Sequence, residues 1–535
     1  MGYRAILFDT RSIQKYIYFS NELKTNIGAS YLVENLFQER LMTYLREQFG
    51  DECIDSDSWR SEPDIEFLAT EGHVAVVYIG GGKALLILAT GDDATAADAK
   101  CRKLIAEFST RVLVECPGLQ LGAAFKEIDL VADNAALKEQ LDGLYGQIKY
   151  NQATVFPQVD IPYDGLTVPC PMGHAAGTYW SGRDGFISHE VHVKEACAEQ
   201  ANRHLQQQFQ ATIGDKEFPL RFDDLGQQET ENYIAVVHID GNNMGARFRA
   251  CTSQSQYRQL SEAVKAKTVG CFDKLLKKIV DEYEWYVDKV KLKLSGKYLP
   301  IRPLILGGDD VTFVCPAKLA IRFAKAFMEY MADAESVAGI LPSVASIDCC
   351  GGIGIFKTSY PFFRGYELTE QLCDAAKREM RALKKGDSNA PGSCWLDFAL
   401  LHGEQAPTLE QIQAQEYRGA RGNMHFGPYR VGNHQTKKGD HSHDIENLID
   451  CVQGLHDGKA LPMNKIKELR WVLQHGQYEA AAFAQQMKHM GQHLPDVPAW
   501  REYAASGSGF WAYGRTPYVD VIEMMDFIPK EDAAK

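Results

Sequence analysis

The residues most able to do chemistry are Gly307-Gly308-Asp309-Asp310, which lie between two apolar runs. Apolar runs of this length are typical of β-strands, and paired glycines permit the tight turn of a hairpin. Adjacent carboxylates raise each other's pKa, and a divalent cation removes that penalty. The motif therefore predicts a hairpin tip that binds Mg²⁺ or Mn²⁺, with a plain acidic turn as the alternative.

A third carboxylate, Asp240, ends the apolar run YIAVVHID. If this strand lies beside the hairpin, Asp240, Asp309 and Asp310 converge as the catalytic residues and metal ligands of a two-metal site. Such a site directs a ribose 3′-hydroxyl at the α-phosphate of a nucleoside triphosphate, and pyrophosphate leaves. The strand-end aspartate favours the metal site over the acidic turn.

Nucleotide-binding candidates flank these carboxylates. Gly307 and Gly308 belong to the turn, and Asn242 and Asn243 follow Asp240 at the start of a predicted helix. Backbone N–H groups at a helix start can hold phosphate oxygens. A simple turn with a helix cap is the alternative for the two asparagines.

The same order of elements occurs twice in the chain. The first copy has a strand ending on Asp9 and a glycine hairpin at Gly80–Gly82, and the second has Asp240 and Asp309 at a similar spacing. Each copy predicts the order β-α-β-β-α-β, a ferredoxin-like sheet with helices on one face. The two palm-like domains would form an internal pseudo-dimer.

The hairpin of the first copy reads Gly80-Gly81-Gly82-Lys83, so both hairpin carboxylates are missing. Asp9 alone cannot hold a metal pair, and we predict that this copy is catalytically silent. It could instead hold a second nucleotide through Ser20, Asn21 and Gly82. The alternative is that these residues only shape a helix kink and a turn.

The fold class predicted for the 535 residues is α+β. The predicted division is a first palm (1–150), a connecting domain (151–228), a second palm (229–400) and a helical C-terminal domain (401–535). The net charge of −14 argues against indiscriminate nucleic-acid binding, although a local basic groove or a basic partner stays possible. Thirteen scattered cysteines without paired CxxC motifs fit a cytoplasmic protein, and no apolar run suggests a membrane span.

Several segments together carry a family resemblance, namely FDTRSIQKYIYFSNELKTNIGAS, HIDGNNMG, GGDD and YPFFRGYELTEQLCDAAK. The sequence resembles the large polymerase/cyclase subunit of type III CRISPR effector complexes, or a standalone relative. The resemblance implies that the second palm converts ATP into 3′–5′ cyclic oligoadenylates, messengers of antiviral defence. It implies that Lys377 meets the triphosphate. It also implies effector-complex subunits and guide or target RNA as partners, or a homo-oligomer if the protein stands alone.

The chain departs from that family in two respects. Many members begin with a nuclease domain, which we do not expect here; His443-Asp444 and His456-Asp457 lie in the tail instead. Many members also bind zinc between the palms, but Cys170, His174 and Cys197 lack an evident fourth ligand, so we expect no zinc.

A cluster of histidines in the tail is expected to be a solvated polar loop rather than a metal site. Its members are His425, His434, His441 and His443. Two alternative functions stay open. One is a non-enzymatic scaffold that organises RNA and partner subunits. The other is a palm enzyme with a different product, such as a linear or cyclic dinucleotide or an adenylylated small molecule.

Overall fold

The repeat predicted from the sequence is present as two β-sheets, seen in a computed structural model. The structure describes residues 2–61, 64–130, 134–152, 163–173, 175–226, 232–383, 393–401, 403, 408–419, 422–432, 441–456, 461–505 and 508–531.

The first palm contains a five-stranded sheet in the order β2-β3-β4-β1-β5. Strand β1 lies inside the sheet, is antiparallel to both neighbours and has a continuous apolar run, as expected for a strand covered on both faces. The strands are β1 (Gly2–Arg11), β2 (Ile54–Asp55), β3 (Val74–Gly80), β4 (Lys83–Thr90) and β5 (Gln120–Ile128), and the helices are α1 (Ile13–Ile17), α2 (Leu23–Asn35), α3 (Met42–Phe49), α4 (Ala94–Glu115) and α5 (Asn134–Gln152).

The connecting region consists of a short hairpin and one long helix. The elements are β6 (Tyr179–Ser181), β7 (Gly185–Ile187) and α6 (His189–Ile213). Ser188 caps α6 by accepting a hydrogen bond from the Val191 N–H at 3.3 Å, and α6 packs along α2 of the first palm.

The second palm contains five strands of a six-stranded sheet, which β15 (Tyr429–Val431) of the C-terminal region completes in the order β15-β12-β11-β8-β10-β9. The four strands β11-β8-β10-β9 have the ferredoxin-like order that the sequence predicted. The strands are β8 (Tyr233–Gly241), β9 (Arg302–Gly307), β10 (Asp310–Pro316), β11 (Cys349–Lys357) and β12 (Cys394–Leu400), and the helices are α7 (Met244–Ala250), α8 (Gln254–Asp281), α9 (Tyr283–Asp288), α10 (Ala320–Ala332) and α11 (Phe362–Leu383).

The C-terminal region is mainly helical and also completes the second sheet. It comprises α12 (Leu409–Gln415), β13 (Arg418–Gly419), β14 (Gly422–Asn423), β15 (Tyr429–Val431), α13 (Ile445–His456), α14 (Met463–His475), α15 (Gln477–His489), α16 (Arg501–Ala504) and α17 (Tyr518–Met524). Strand β15 pairs with β12, so this region is joined to the palm through backbone hydrogen bonds. Among the described residues, no helix has the length and apolar character needed to cross a bilayer.

The two palms interlock through an exchange of helices. Helix α2 of the first palm packs on β9 of the second, and α8 of the second packs on β3 of the first. One continuous core runs through both sheets and includes Phe8 of β1 and Val237 of β8. The α+β class with two ferredoxin-like palms is therefore confirmed.

Helices cover both faces of the second sheet. Helix α10 lies on the sheet face that carries the Cys349 side chain. On that face the Cys394 thiol, which lies beside Cys349, reaches the carbonyl oxygen of Met328 in α10 at 4.0 Å. Helix α11 lies on the opposite face, where Cys373 packs against Cys350. The crossover helices α8 and α10 pack against each other on one face, as the ferredoxin-like order predicts, and α11, which follows the last strand of that unit, covers the face that carries Asp240.

Candidate active site of the second palm

The strand register brings two of the three predicted carboxylates together. Asp240 of β8 lies directly opposite Asp310 of β10, and Asp310 also closes the hairpin opposite Gly307. Opposed residues of an antiparallel pair point to the same face with Cβ atoms about 5 Å apart. Both carboxylates therefore face α11, and each side chain is about one-third exposed or less, at 27% for Asp240 and 31% for Asp310.

The third carboxylate, Asp309, is at the hairpin tip and folds over Gly241. A Cβ on residue 241 would lie 2.8 Å from the Cβ of Asp309, so only glycine fits at that position. The Gly241 N–H donates to the Asp309 carbonyl oxygen at 3.2 Å. From α8, the buried Thr268 hydroxyl donates to the Gly308 carbonyl oxygen at 2.6 Å. The tip is thus fixed by hydrogen bonds from a strand and from a helix.

The electrostatics of the tip disfavour three bare anions. Burial and then the neighbouring Asp240 carboxylate raise the pKa of Asp309 to about 7. The raised pKa favours protonation of this carboxyl group when no cation is present. A bound divalent cation would stabilise its ionised form.

His238 lies behind Asp310 on the same face of the sheet. Its Nδ1 is 3.3 Å from Asp310 Oδ1 and 3.1 Å from the Thr312 hydroxyl. Burial opposes protonation of this imidazole, but the Asp310 carboxylate outweighs it and raises the pKa of His238. His238 therefore holds Asp310 from the interior of the protein.

Lys377 is brought to the site by α11, as the family resemblance implied. Its Nζ donates to Asp240 Oδ2. The contact places a cation beside the carboxylates and leaves Asp240 with a partner that a metal would have to displace.

A cavity of about 190 Å³ opens at these residues. Sequence reasoning missed five of its lining residues: Gln14, which comes from the first palm, His238 of β8, and Glu370, Cys373 and Asp374 of α11. The spacing of Glu370, Asp374 and Lys377 along α11 could have revealed the two acidic residues, since residues three and four apart share one helix face. The full lining is Gln14, His238, Asp240, Asp310, Glu370, Cys373, Asp374 and Lys377.

The residues present fit a divalent metal by their chemistry. The cavity lining holds four carboxyl groups against one lysine, and Asp310 Oδ1 is buried without a well-formed hydrogen bond among the described residues. Oxygen donors with a net negative charge are what Mg²⁺ and Mn²⁺ prefer. Across the described part of the chain, however, no three such side chains already surround one point. Metal entry would therefore require Asp240 to exchange Lys377 for the ion.

The asparagines after β8 are placed differently from each other. Asn242 is buried, its N–H donates to the Asp348 carbonyl oxygen at 2.8 Å, and its Oδ1 has no partner in the described structure. Asn243 is exposed, with φ at 62° before α7. Asn243 is thus the more accessible of the two predicted nucleotide contacts, and Gly307 at the tip is also exposed.

The first palm repeats this backbone with different side chains. Asp9 lies opposite Lys83, and the Thr10 N–H donates to the Gly82 carbonyl oxygen at 2.9 Å. Gln152 of α5 donates from Nε2 to Asp9 Oδ2 at 3.1 Å. Asp9 is therefore engaged by residues of its own palm.

Ser20 and Asn21 lie where the two palms meet. Ser20 is buried and its hydroxyl accepts a hydrogen bond from the Glu22 N–H at 3.1 Å. Asn21 is exposed, and its Oδ1 accepts the Phe362 N–H at 2.8 Å, which caps α11 from the other palm. In this arrangement Ser20 is not open to a nucleotide, whereas Asn21 is.

The zinc candidates are separated in the described part of the chain. Cys170 is buried in a small apolar cluster with Ile187 and Val191, whereas Cys197 packs on the main core. His174 lies outside the described residues. The absence of zinc stays a prediction.

The expectation of a solvated loop is wrong for His425. Its imidazole is buried between two carboxylates, 2.8 Å from Asp397 Oδ1 and 3.0 Å from Asp520 Oδ1. These carboxylates outweigh the effect of burial and raise the pKa of His425. The pattern Asn-Met-His-Phe gave no sign of this, because Asp397 and Asp520 come from distant elements.

The other described histidines that the sequence singled out in the tail also have partners within the chain. His441 is exposed and 2.8 Å from Asp444, and the His443 ring stacks on Phe426. His456 contacts the Ile528 carbonyl oxygen at 2.7 Å. His434 and Asp457 lie outside the described residues.

Comparison with known proteins places the hairpin in a family. Residues 233–384 match the family model of the Cas10/Cmr2 second palm domain. No curated protein sequence matches the chain. The segment that carries Asp240, Asp309, Asp310 and Lys377 is thus a palm domain of the nucleotide cyclase and polymerase type.

Similar chains are found among solved structures, and one of them, with a TM-score of 0.50, shows the fold. A Csm1-Csm4 cassette in complex with one ATP is 12% identical, with a TM-score of 0.50 over 98% of this chain and 70% of that chain. A Csm1-Csm4 cassette in complex with pppApApA is 13% identical, with a TM-score of 0.48 over 98% and 69%. Csm1 from T. onnurineus is 14% identical, with a TM-score of 0.44 over 98% and 70%. The matching second palm and the shared fold support the Cas10-like palm subunit family for this chain.

Proposed function

We propose that the protein is a metal-dependent nucleotidyltransferase that converts ATP into 3′–5′ linked cyclic oligoadenylates in antiviral defence. The observation that carries the proposal is the opposition of Asp240 and Asp310 beside Asp309 and Lys377, in a palm of the Cas10/Cmr2 type. ATP as substrate is supported by the similar cassette, which was solved with one ATP.

The residues of the second palm would divide the work. Asp240, Asp309 and Asp310 would hold Mg²⁺ or Mn²⁺, whose chemistry there is to acidify a ribose 3′-hydroxyl and to neutralise the triphosphate. Lys377, once released from Asp240, would bind phosphate oxygens as a point charge. Gly307, Gly308 and Asn243 would let the phosphates approach the backbone closely. His238 would keep Asp310 in place.

The first palm would act by positioning. Ring formation needs one nucleotide's 3′-hydroxyl aimed at the α-phosphate of another, and correct placement supplies much of the acceleration. Asn21 and Gly82 of the first palm would hold the second nucleotide, and Gln14 already lines the catalytic cavity. Ser20, being buried, would support Asn21 rather than touch a base.

Partners and location follow from the same proposal. The similar Csm1-Csm4 cassette combines Csm1 with Csm4, which supports effector subunits as partners of this chain. Guide or target RNA would be the trigger, and a homo-oligomer is the expectation if the protein acts alone. All thirteen cysteines are free thiols, which supports a reducing cytoplasmic setting.

The test is to incubate the purified protein with each nucleoside triphosphate and Mg²⁺ or Mn²⁺, with and without RNA and partner subunits. Mass spectrometry should then detect cyclic oligoadenylates from ATP, with no requirement for zinc. Linear dinucleotides, cyclic dinucleotides or adenylylated small molecules would keep the enzyme class and correct the product. A lack of ATP consumption under all these conditions would support the scaffold alternative, and stoichiometric zinc in the protein would overturn the expectation of a zinc-free linker.

A further inference from the structure

A second cavity, of about 230 Å³, lies away from the catalytic face. It is formed where α2 of the first palm, α6 of the connecting region and α8 and β9 of the second palm meet. Arg302, at the start of β9, lines it. Arg302 precedes Gly307 by five residues, which is about 16 Å along an extended strand. The cavity is therefore distinct from the pocket of Asp240 and Lys377.

Arg302 is a buried cation without an anionic partner. The residue is 2% exposed, and its Nη1 donates to the amide oxygen of Asn202. Its Nε has no partner, and no carboxylate of the described residues lies within ion-pair distance of its guanidinium. Burial alone lowers the pKa of Arg302 to about 9.

The other two buried arginines of the described chain are compensated. Arg4 contacts Asp98 at 3.0 Å and Glu127 at 3.4 Å. Arg258 contacts Glu262 at 3.1 Å and also donates to two backbone carbonyl oxygens. Arg302 has the Phe218 ring at 5.9 Å but no counterion among the described residues, and a buried charge without a counterion favours an anionic ligand.

The rest of the cavity wall suits a phosphate group. Lys265 reaches it from α8 and pairs with Glu34 at 3.3 Å, and His204 and Gln208 reach it from α6. A guanidinium and an ammonium that line the same cavity can both bind phosphate oxygens through charge-assisted hydrogen bonds. Apolar groups, among them Ile27 and Leu205, form the remaining wall.

We propose that this cavity binds a small phosphate-bearing anion, held by Arg302 and Lys265, at the junction of both palms and the connecting helix. Occupancy would tie α2, α6 and β9 together and so stabilise the arrangement of the two palms. The site takes inorganic phosphate or the phosphate of a nucleoside monophosphate by the same contacts.

Calorimetric titration of the full chain with inorganic phosphate and, separately, with AMP tests the proposal at constant ionic strength set by chloride. We expect at least one of them to bind with a stoichiometry of one. AMP binding more than about tenfold tighter than phosphate would identify a nucleotide as the ligand, and similar affinities would identify free phosphate.

Two variants should change the affinity in opposite directions. Lys265→Met removes a charge-assisted contact and should weaken binding about fivefold to tenfold. Glu34→Gln removes the competing carboxylate and should tighten it. Lys277→Met, at an exposed position of the same helix, is the matched control and should have no effect. Lys377→Met should also have no effect, which separates this site from the catalytic pocket.

Arg302→Met gives an independent readout. The variant should lose the rise in melting temperature that phosphate gives the wild type, while its stability without phosphate is equal or higher. Binding by neither probe, binding unaffected by Lys265→Met, or binding abolished by Lys377→Met would each overturn the proposal. An Arg302→Met variant whose melting temperature is lowered equally with and without phosphate would also overturn the proposal.

Discussion

The hairpins of the two palms share a backbone and differ in charge. Asp9 lies opposite Lys83 in the first palm, and Asp240 lies opposite Asp310 in the second. In both, the tip carbonyl oxygen accepts an N–H from the residue that follows the strand-end aspartate. The scaffold is therefore retained in both palms, and side chains at two positions decide which palm can bind a cation.

The charges of the first palm are balanced within the chain. Burial raises the pKa of Asp9, but Lys83 and the hydrogen bond from Gln152 act against that rise. The counterpart of Asp309 is Gly82, whose φ is 73°. A Cβ placed on Gly82 would lie only 2.5 Å from the Thr10 hydroxyl oxygen. An aspartate would not fit at that position without rearrangement. The second palm, in contrast, has an excess of carboxyl groups over basic groups at its cavity, which favours the binding of a cation.

The largest effect is expected for Asp309→Ala combined with Asp310→Ala. The double variant removes two metal ligands and should lower nucleotide turnover by at least about a hundredfold. The matched control is Asp9→Asn in the first palm, which should change turnover by less than about threefold. Turnover is measured for both variants, and circular dichroism checks their folding. Equal turnover of the two variants would contradict the assignment of the catalytic carboxylates to the second palm.

Lys377→Met should have the next largest effect. The variant removes the cation that would bind the triphosphate, and turnover should fall about tenfold to a hundredfold. Arg378→Met, at the adjacent exposed position of α11, is the control and should stay near the wild-type rate. Equal rates for the Lys377 variant and the wild type would remove this lysine from the site.

Asn21→Ala tests whether the first palm holds a nucleotide. Product formation should fall severalfold while metal binding at the second palm is unchanged. Asn21→Asp retains an oxygen that can cap α11 through the Phe362 N–H. If nucleotide binding needs the amide, both variants lose activity; full activity of Asn21→Asp would assign Asn21 to capping alone.

The smallest effect concerns stability without metal. Because the pKa of Asp309 is raised to about 7, the folded chain retains a proton that the unfolded chain loses near pH 4. Wild-type stability should therefore fall relative to Asp309→Asn as the pH rises from 5 to about 8. Melting curves in a chelator should show a gap of a few degrees that widens with pH and narrows when Mg²⁺ is added. A gap that narrows with rising pH would contradict the raised pKa.

The sequence was sufficient to predict those features of the fold and the site that depend on the order of elements along the chain. The repeat of strand, helix and glycine hairpin predicted both palms, and strand-end Asp240 with the paired hairpin aspartates predicted which palm is acidic. Features that depend on contacts between distant elements were not predictable. Gln14 reaches the catalytic cavity from the other palm, and His425 is buried by Asp397 and Asp520. The face chosen by α11 depends likewise on tertiary packing.

The measurement that tests the account most directly is Mn²⁺ binding, followed by electron paramagnetic resonance or calorimetry on the full chain. The account predicts that wild type and Asp9→Asn bind Mn²⁺ equally at the second palm, and that Asp309→Ala with Asp310→Ala abolishes this binding. Unchanged Mn²⁺ binding in the double variant, or its loss in Asp9→Asn, would contradict the assignment of the metal site to the second palm.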